Sequence, residues 1–197
     1  MYISRIVIRN FRNFSNLDTH LYPGVTCVLG ENNTGKTNLL RALRIVLDSN
    51  LSSQYRRLIE HDIFSGIDIS NPQQVIISIE FSDYVDRENE CALVGCWEID
   101  DGLARLNYRF RPSRAVRDKI EAEERSNNLT LEDYHWEMTG GGEIDPSTVE
   151  WNQPLGTSIR MADLQQFLVV LLPALRDVEQ SLRQSRISPL RQIFDAS

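Results

Sequence analysis

The sequence has few cysteines, no long hydrophobic run and no excess of positive charge. Its three cysteines are odd in number and lack a metal-ligand spacing, so we expect reduced thiols in a cytosolic protein. The longest apolar run, residues 167–172, is far too short to span a membrane. The first residues show no basic segment followed by an apolar stretch, which argues against a signal peptide. We therefore expect a cytoplasmic protein without a membrane partner.

The charge and composition are those of a globular protein. The net charge of −7 indicates solubility and gives no general sign of a nucleic-acid surface, although a local basic patch can lie on an acidic protein. The composition, 41% hydrophobic and 25% charged, is ordinary for a folded domain. A chain of 197 residues suits one domain, or one domain with an insertion, and can bury a sizeable core.

One motif organises the chain. An octapeptide fits G-x-x-x-x-G-K-[ST], the phosphate-binding P-loop. Its residues are Gly30, Glu31, Asn32, Asn33, Thr34, Gly35, Lys36 and Thr37. Residues 25–29 before it form a short apolar run that predicts a buried strand, and residues 38–47 after it carry leucines at helical spacing. A loop between a strand and a helix is the context that this motif requires; a chance match in a turn rich in glycine and asparagine is the alternative.

The residue types of the motif suit phosphate binding. Glycines let the backbone curl until successive N–H groups point at phosphate oxygens. The free N–H groups at the start of the following helix attract the same anion. Lys36 is a mobile cation suited to the β- and γ-phosphates, and the Thr37 hydroxyl is a predicted Mg²⁺ ligand.

The rest of the pattern predicts strands and short helices in an order unlike a simple parallel P-loop fold. We predict strands at residues 2–8, 17–21, 75–81, 91–99, 103–110 and 167–172, helices at residues 51–59, 112–125, 161–166 and 174–184, and loops at residues 140–142 and 145–155. Asp100, Asp101 and Gly102 predict a tight hairpin, so the middle of the chain should be antiparallel.

The charged residues outside the P-loop allow more than one interpretation. We favour solvated side chains for Arg56 and Arg57 over phosphate contacts. The densest basic run fits a solvated helix face better than a nucleic-acid surface, because acidic residues follow it at once. That run comprises Arg109, Arg111, Arg114, Arg117 and Lys119. The pair His61-Asp62 has no accompanying nucleophile motif and is assigned no role.

The opening of the chain resembles a known ATPase group. An alternating strand leads into residues 10–14, Asn-Phe-Arg-Asn-Phe, and Asn38 follows the P-loop directly. Residues 1–48 resemble the N-terminal ATPase half of the ABC-type group that includes RecF, the SMC proteins and the OLD-family nucleases, and they look most like OLD. The resemblance implies an α/β fold: a P-loop ABC-type ATPase lobe with a mixed core sheet and an antiparallel β-subdomain. It also implies ATP and Mg²⁺ as ligands, with Asn38 and Arg12 beside the nucleotide; a surface turn arginine is the alternative for Arg12.

Two parts of a hydrolytic ATPase site are missing from the sequence. We find no apolar strand ending in Asp or Asp-Glu, which would hold Mg²⁺ and orient water, and no Leu-Ser-Gly-Gly-like signature. The turn after residues 167–172 carries no glutamine, which the resemblance would place there. No catalytic residue is therefore assignable in this chain.

We interpret residues 1–197 as the N-terminal portion of an ATPase domain, with the C-terminal ATPase portion and any nuclease domain outside this chain. By resemblance, two ATPase halves would sandwich ATP, and binding would regulate a Toprim-type nuclease that cleaves DNA. The expected partners are the remaining ATPase and nuclease portion or a partner chain, a second copy in a homo-oligomer, and DNA. The alternatives are a RecF- or SMC-like DNA repair ATPase lobe and a non-hydrolysing nucleotide-dependent interaction module. A role in phage defence would rest on family analogy alone.

Overall fold

The fold is built on one antiparallel sheet. The computed structural model describes residues 1–32, 34–124, 128–167 and 169–170. The strands are β1 (Tyr2–Phe11), β2 (Phe14–His20), β3 (Val75–Ser82), β4 (Glu98–Asp100), β5 (Leu103–Pro112), β6 (Tyr134–Gly140) and β7 (Thr157–Ser158). Their order in the sheet is β2-β1-β3-β5-β6-β7, with β4 paired to β5, and every described pairing is antiparallel.

Short helices connect the strands. They are α1 (Lys36–Leu47), α2 (Ser53–Arg56), α3 (Glu88–Val94) and α4 (Arg114–Glu121), with 3₁₀ turns at Glu60–Asp62, Gly95–Trp97, Leu131–Asp133 and Met161–Gln166. α1 begins at Lys36, within the last two residues of the P-loop motif, and its 12 residues carry an apolar stripe at helical spacing.

One face of the sheet packs against α1. Side chains alternate along β1 and β3, so that every second residue points to the same face. The buried residues of this layer include Ile6, Ile8, Ile77 and Ile79 from the strands and Ala42, Ile45 and Val46 from α1. This packing fixes α1, and therefore the loop in front of it, against the middle of the sheet.

The opposite face of the sheet buries charged side chains beside apolar ones such as Ile76. Arg105 of β5 forms an ion pair with Glu80 of β3 at 2.8 Å, and Arg109 donates to main-chain carbonyl oxygens of Glu150 and Gln153. Carboxylates and loop carbonyls supply the acceptors that buried guanidinium groups need. Because burial removes water from the charged group, it lowers the pKa of Arg109.

The predicted α/β fold class is confirmed, and so is the antiparallel pairing predicted for the middle of the chain. The strands predicted at residues 2–8, 17–21, 75–81 and 103–110 are present as β1, β2, β3 and β5. The hairpin at Asp100–Asp101–Gly102 joins β4 to β5, and Gly102 has a φ of 69°. The helix predicted at residues 51–59 is reduced to α2, the one at 112–125 to α4, and residues 161–166 form a 3₁₀ turn.

The strand predicted at residues 25–29 is wrong. This segment has no regular structure, and its apolar side chains face solvent, with Val25 95% and Leu29 91% exposed. Cys27 belongs to this segment, which was predicted to be buried, and it is exposed as well. No strand in the described part of the chain pairs with the segment, so it lacks the hydrogen-bonded ladder that would hold it in a sheet.

The single strand predicted at residues 91–99 is also wrong, because this stretch forms α3, a 3₁₀ turn and then the short β4. Val94 and Trp97, three residues apart, are both buried, which is a helical rather than an alternating pattern. Glu88 and Glu90 in the first turn of α3 favour the positive end of a helix. Conversely, β6 forms at residues 134–140, where the sequence pattern predicted no strand and where Gly140 was assigned to a loop.

Several arginines predicted to be solvated are buried. Arg56 is 1% exposed and donates to the carbonyl oxygens of Ile45, Asp48 and Leu51, whereas Arg57 is exposed as predicted. Arg109 and Arg111 lie on β5 rather than on a helix and are buried. They are buried because strand alternation turns them toward the acceptors of residues 150–153.

Part of the predicted C-terminal structure lies outside the described residues. Of the strand predicted at residues 167–172, the described positions 167, 169 and 170 have no regular structure, and the others lie outside. The helix predicted at residues 174–184 lies wholly outside. Asn33 of the P-loop is likewise outside the described ranges.

Candidate functional site

The P-loop curls in front of α1. Gly35 is the N-cap residue, with a φ of 102° that favours glycine, and α1 begins at Lys36. Lys36 donates from Nζ to the carbonyl oxygens of Gly30 and Glu31, at 2.7 and 2.5 Å. Thr34 Oγ1 also donates to the Glu31 carbonyl oxygen, at 2.9 Å. These bonds fold the loop back on itself and hold the lysine ammonium inside the curve.

The first turn of α1 has the electrostatics of an anion site. It contains no acidic residue, and Thr37 is exposed there. The first N–H groups of a helix have no acceptor within the helix, and they lie at the positive end of its dipole. A phosphate group at this end would meet main-chain N–H donors and the Lys36 ammonium, and the Thr37 hydroxyl is suited to a Mg²⁺ ion on that phosphate.

A chain of side-chain hydrogen bonds ties the β1–β2 turn to this loop. Asn13 Nδ2 donates to the carbonyl oxygen of Thr34 at 3.3 Å, and Asn38 Nδ2 donates to Asn13 Oδ1 at 2.7 Å. Arg12 Nη1 donates to Asn38 Oδ1 at 2.8 Å. The structure therefore brings Arg12 next to Asn38 and the P-loop. In the sequence, Arg12 lies at least 18 positions before either of them.

A buried carboxylate lies behind Arg12. Asp62, in the 3₁₀ turn after α2, is 1% exposed. Its Oδ1 accepts from Arg12 Nε at 2.9 Å, and its Oδ2 accepts from Arg41 Nη2 at 3.3 Å. The sequence analysis assigned Asp62 no role. The only local signal was that this acidic residue is followed by the apolar Ile63 and Phe64.

A cavity of about 660 Å³ opens beside Arg12 and Asn38. The rest of its lining mixes polar and apolar side chains: Glu60, His61, Ile63, Phe64, Ser65, Ile67 and Ile69. Small-molecule sites in proteins are commonly of this size, with a mostly apolar wall and a few polar groups that fix orientation. The cavity adjoins the first turn of α1, because Asn38 belongs to both.

A larger apolar groove of about 990 Å³ lies between β1, β2, α1 and residues 21–30, and the P-loop residues Thr34, Gly35 and Lys36 also line it. Ile3, Leu17 and Leu39 contribute to its walls. Tyr22 and Leu40 on the same surface are 83% and 50% exposed. Together with the exposed apolar side chains of residues 25–29 they form one apolar surface. Exposed apolar surface of this extent marks an interaction site more often than a free surface.

Across residues 1–32, 34–124, 128–167 and 169–170, no group of three or more His, Cys, Asp or Glu side chains is arranged to hold a metal ion. Over the same ranges, no helix is both long and apolar enough to cross a membrane.

Comparison with known proteins assigns the family. The profile of the AAA ATPase domain family matches residues 1–139, which include the P-loop, α1, Asp62 and most of the sheet. The chain belongs to the AAA ATPase domain family. Membership in this family implies ATP as the ligand class of the P-loop.

Relatives of this AAA ATPase domain include DNA repair proteins. A 43-residue stretch is 54% identical to the DNA replication and repair protein RecF of Listeria welshimeri, covering 22% of this chain and 12% of that protein. A 70-residue stretch is 36% identical to RecF of Latilactobacillus sakei, covering 34% of this chain and 19% of that protein. The matches thus span less than a fifth of the length of these curated relatives.

A solved structure shares the fold. It comes from work on ATP-driven dimerization and DNA-stimulated activation of SMC ATPases, and it matches with a TM-score of 0.53 and 18% identity over the full length of both chains. The resemblance to RecF is confirmed over these stretches of sequence, and the resemblance to SMC ATPases is confirmed for the fold alone. The narrower resemblance to OLD-family nucleases stays a prediction.

Proposed function

We propose that this chain is the ATP-binding lobe of a RecF- or SMC-like ATPase that works on DNA. The observation that supports this most is the P-loop closed against the first turn of α1, with Lys36 held in its curve. The proposed nucleotide ligands are Gly30, Glu31, Asn32, Asn33, Thr34, Gly35, Lys36, Thr37, Asn38 and Arg12. Thr37 is the proposed Mg²⁺ ligand.

Each group has a separate task in this proposal. Main-chain N–H groups of the loop and of the first turn of α1 donate to phosphate oxygens. Lys36 would exchange the carbonyl oxygens of Gly30 and Glu31 for the β- and γ-phosphates, and the Thr37 hydroxyl would hold the Mg²⁺ ion that supplies charge neutralisation there. Arg12 adds a second positive charge from the β1–β2 turn. When Mg²⁺-ATP is bound, hydrolysis needs an acidic group that we expect from outside the described residues.

The neighbouring cavity fits the rest of the nucleotide. Its walls include Asn38 of α1 and Arg12 of the β1–β2 turn, two of the proposed ligands, so it is the proposed place for the ribose and base. Phe64 offers an aromatic ring, and His61 and Glu60 offer polar groups that could orient a base.

The exposed groove supports the proposed partners. Its apolar walls and the unpaired segment at residues 25–29 would be covered by strands of the remaining ATPase portion, which would supply the missing ladder. A second ATPase copy and DNA are further proposed partners. The SMC ATPase structure that shares the fold comes from work on ATP-driven dimerization and DNA-stimulated activation, and the RecF relatives are DNA replication and repair proteins. A cytoplasmic location is part of the same proposal.

The OLD hypothesis is the narrower form of this proposal. In it the lobe would regulate a Toprim-type nuclease outside this chain. Residues 10–14 and the P-loop support it, and the RecF matches favour the broader DNA repair form. A carboxylate-rich Toprim domain following the lobe would support the nuclease form, and a long coiled coil would support an SMC-like protein.

The test of nucleotide binding uses the chain's two lysines, Lys36 and Lys119. Lys36→Ala removes the ammonium from the P-loop, whereas Lys119→Ala removes one from the exposed side of α4. We expect Lys36→Ala to weaken Mg²⁺-ATP binding by at least tenfold in calorimetry, since a charge-assisted contact contributes about 1.5–3 kcal/mol. Lys119→Ala should bind as the native protein does. Equal affinities for all three proteins would contradict the proposed function.

A further inference from the structure

Asp62 is a buried charge with two cationic partners from different elements. It is 1% exposed, and a buried carboxylate is costly unless it is paired. One oxygen faces Arg12 of the β1–β2 turn, with Nε at 2.9 Å and Nη2 at 2.8 Å. The other oxygen faces Arg41 of α1 at 3.3 Å. The carboxylate therefore connects two elements that border the P-loop.

Main-chain bonds hold the same two segments together. Arg12 N donates to the Asp62 carbonyl oxygen and Phe64 N to the Asn10 carbonyl oxygen, both at 2.9 Å, and Phe11 forms a β-bridge with Ile63. Arg12 itself has a left-handed φ of 51°. The 3₁₀ turn thus fixes the backbone of the arginine as well as its side chain.

The guanidinium of Arg12 is held from two sides. Its Nε and Nη2 face Asp62, and its Nη1 donates to Asn38 Oδ1 in the first turn of α1. A planar guanidinium held at both ends has a defined direction, whereas a free arginine samples many rotamers. Removing the carboxylate would leave Arg12 and Arg41 as two neighbouring cations that repel each other.

We propose that Asp62 is a positioning residue of the nucleotide site, which holds Arg12 across the first turn of α1 in the direction needed to meet a phosphate. This inference rests on the proposed function. Asp62 does not touch the nucleotide; it acts through Arg12, whose contribution to binding depends on arriving already oriented. The contacts assign this task to the carboxylate and not to the neighbouring His61, which is exposed.

A double-mutant cycle tests the inference by Mg²⁺-ATP calorimetry. Asp62→Asn keeps the shape but removes the charge, and we expect about tenfold weaker binding because a charge-assisted hydrogen bond is lost. In an Arg12→Gln background the same change should have no further effect. A merely structural role would disturb the P-loop in both backgrounds, so equal losses in both, or no loss in either, would overturn the proposal. Asp68→Asn is the matched control, because Asp68 is exposed and bonds only Ser70 and Asn71 of its own turn among the described side chains.

A second variant covers the case in which Asp62→Asn unfolds the protein. Arg12→Lys keeps the positive charge at a partly exposed position. A lysine ammonium lacks the planar set of donors with which the guanidinium hydrogen-bonds Asp62 and Asn38 at the same time. We expect it to bind Mg²⁺-ATP as weakly as Arg12→Gln, and native affinity would overturn the proposal. Lys36→Ala distinguishes failure of the positioning role from failure of the proposed function. If Lys36→Ala loses binding and Asp62→Asn binds as the native protein does, only the positioning role is refuted. If Lys36→Ala binds as the native protein does, the proposed function is refuted.

Discussion

The substitution of Gly35 by alanine tests whether the P-loop is held by the β1–β2 turn. Gly35 has a φ of 102°, and a Cβ atom built there would lie 2.2 Å from Asn13 Nδ2. Asn13 would have to move, which breaks its bonds to the Thr34 carbonyl oxygen and to Asn38. Gly24 offers a matched control: its φ is 107°, and a Cβ there would meet nothing within 4 Å.

The two substitutions separate backbone strain from lost contacts. An alanine in a left-handed conformation costs about 1–2 kcal/mol, and this applies to both sites. The reduced entropy of the unfolded chain offsets about 0.4–1 kcal/mol of that cost, again at both sites. Gly35→Ala also loses two hydrogen bonds of about 1 kcal/mol each. We therefore expect Gly35→Ala to lower the free energy of unfolding by about 2 kcal/mol more than Gly24→Ala does.

Urea denaturation followed by circular dichroism measures this difference, and Mg²⁺-ATP calorimetry measures its functional consequence. Gly35→Ala should weaken nucleotide binding, whereas Gly24→Ala should leave it unchanged. If the two variants lost the same stability, the contact between the loop and the β1–β2 turn would have no energetic weight, and the reasoning would be refuted.

Two further predictions concern buried charges. Replacing Arg56 by Met should lower the free energy of unfolding by about 3 kcal/mol in urea denaturation, because three carbonyl oxygens lose their donor. The control Arg57→Met, at an exposed position, should change it by less than about 0.5 kcal/mol. Similar losses in both variants would contradict the role of Arg56. Hydrogen bonds from Arg5 hold the pKa of Asp145 below its usual range, so Asp145 stabilises the folded protein above about pH 4 and that contribution is lost as the pH falls. Asp145→Asn should flatten the decline of the urea midpoint between pH 5 and about pH 3, and an unchanged slope would exclude this ion pair as a source of acid sensitivity.

Core strands were predictable from the sequence where a strand and its pairing strand both lie in the described part of the chain. Residues 2–8 and 75–81 are rich in β-branched side chains, and β1 and β3 pair with each other over nearly their full length. Residues 25–29 carry the same kind of local signal. Their strand failed because a strand depends on a neighbour, and a local pattern contains no information about whether that neighbour is present.

The buried arginines of β5 were predictable only in part. Arg105, Arg109 and Arg111 occupy alternate positions with the buried Leu106, Tyr108 and Phe110, which is a period-two signal for a strand with two different faces. The acceptors that allow the arginines to be buried come from residues 142–153, about 40 positions away. No local rule predicts that such a loop folds over the polar face.

Some parts of the candidate site were predictable from local sequence, and others depend on the fold. The P-loop and α1 were predictable because residue type and spacing carry the chemistry locally. The positions of Arg12 and Asn38 beside the loop followed from resemblance, and their hydrogen bond is a product of the fold. Asp62 was missed because its importance comes from burial and from two arginines 50 and 21 positions away.

A crystal structure of the protein with Mg²⁺ and a non-hydrolysable ATP analogue tests the central claim most directly. The account predicts that the β- and γ-phosphates lie at the main-chain N–H groups of residues 34–37, with Thr37 on the metal ion. Lys36 Nζ should have moved from the carbonyl oxygens of Gly30 and Glu31 to the phosphates, and Arg12 should still bond Asp62. Phosphates bound elsewhere, or Lys36 still bonded to both carbonyls beside a bound nucleotide, would contradict the account.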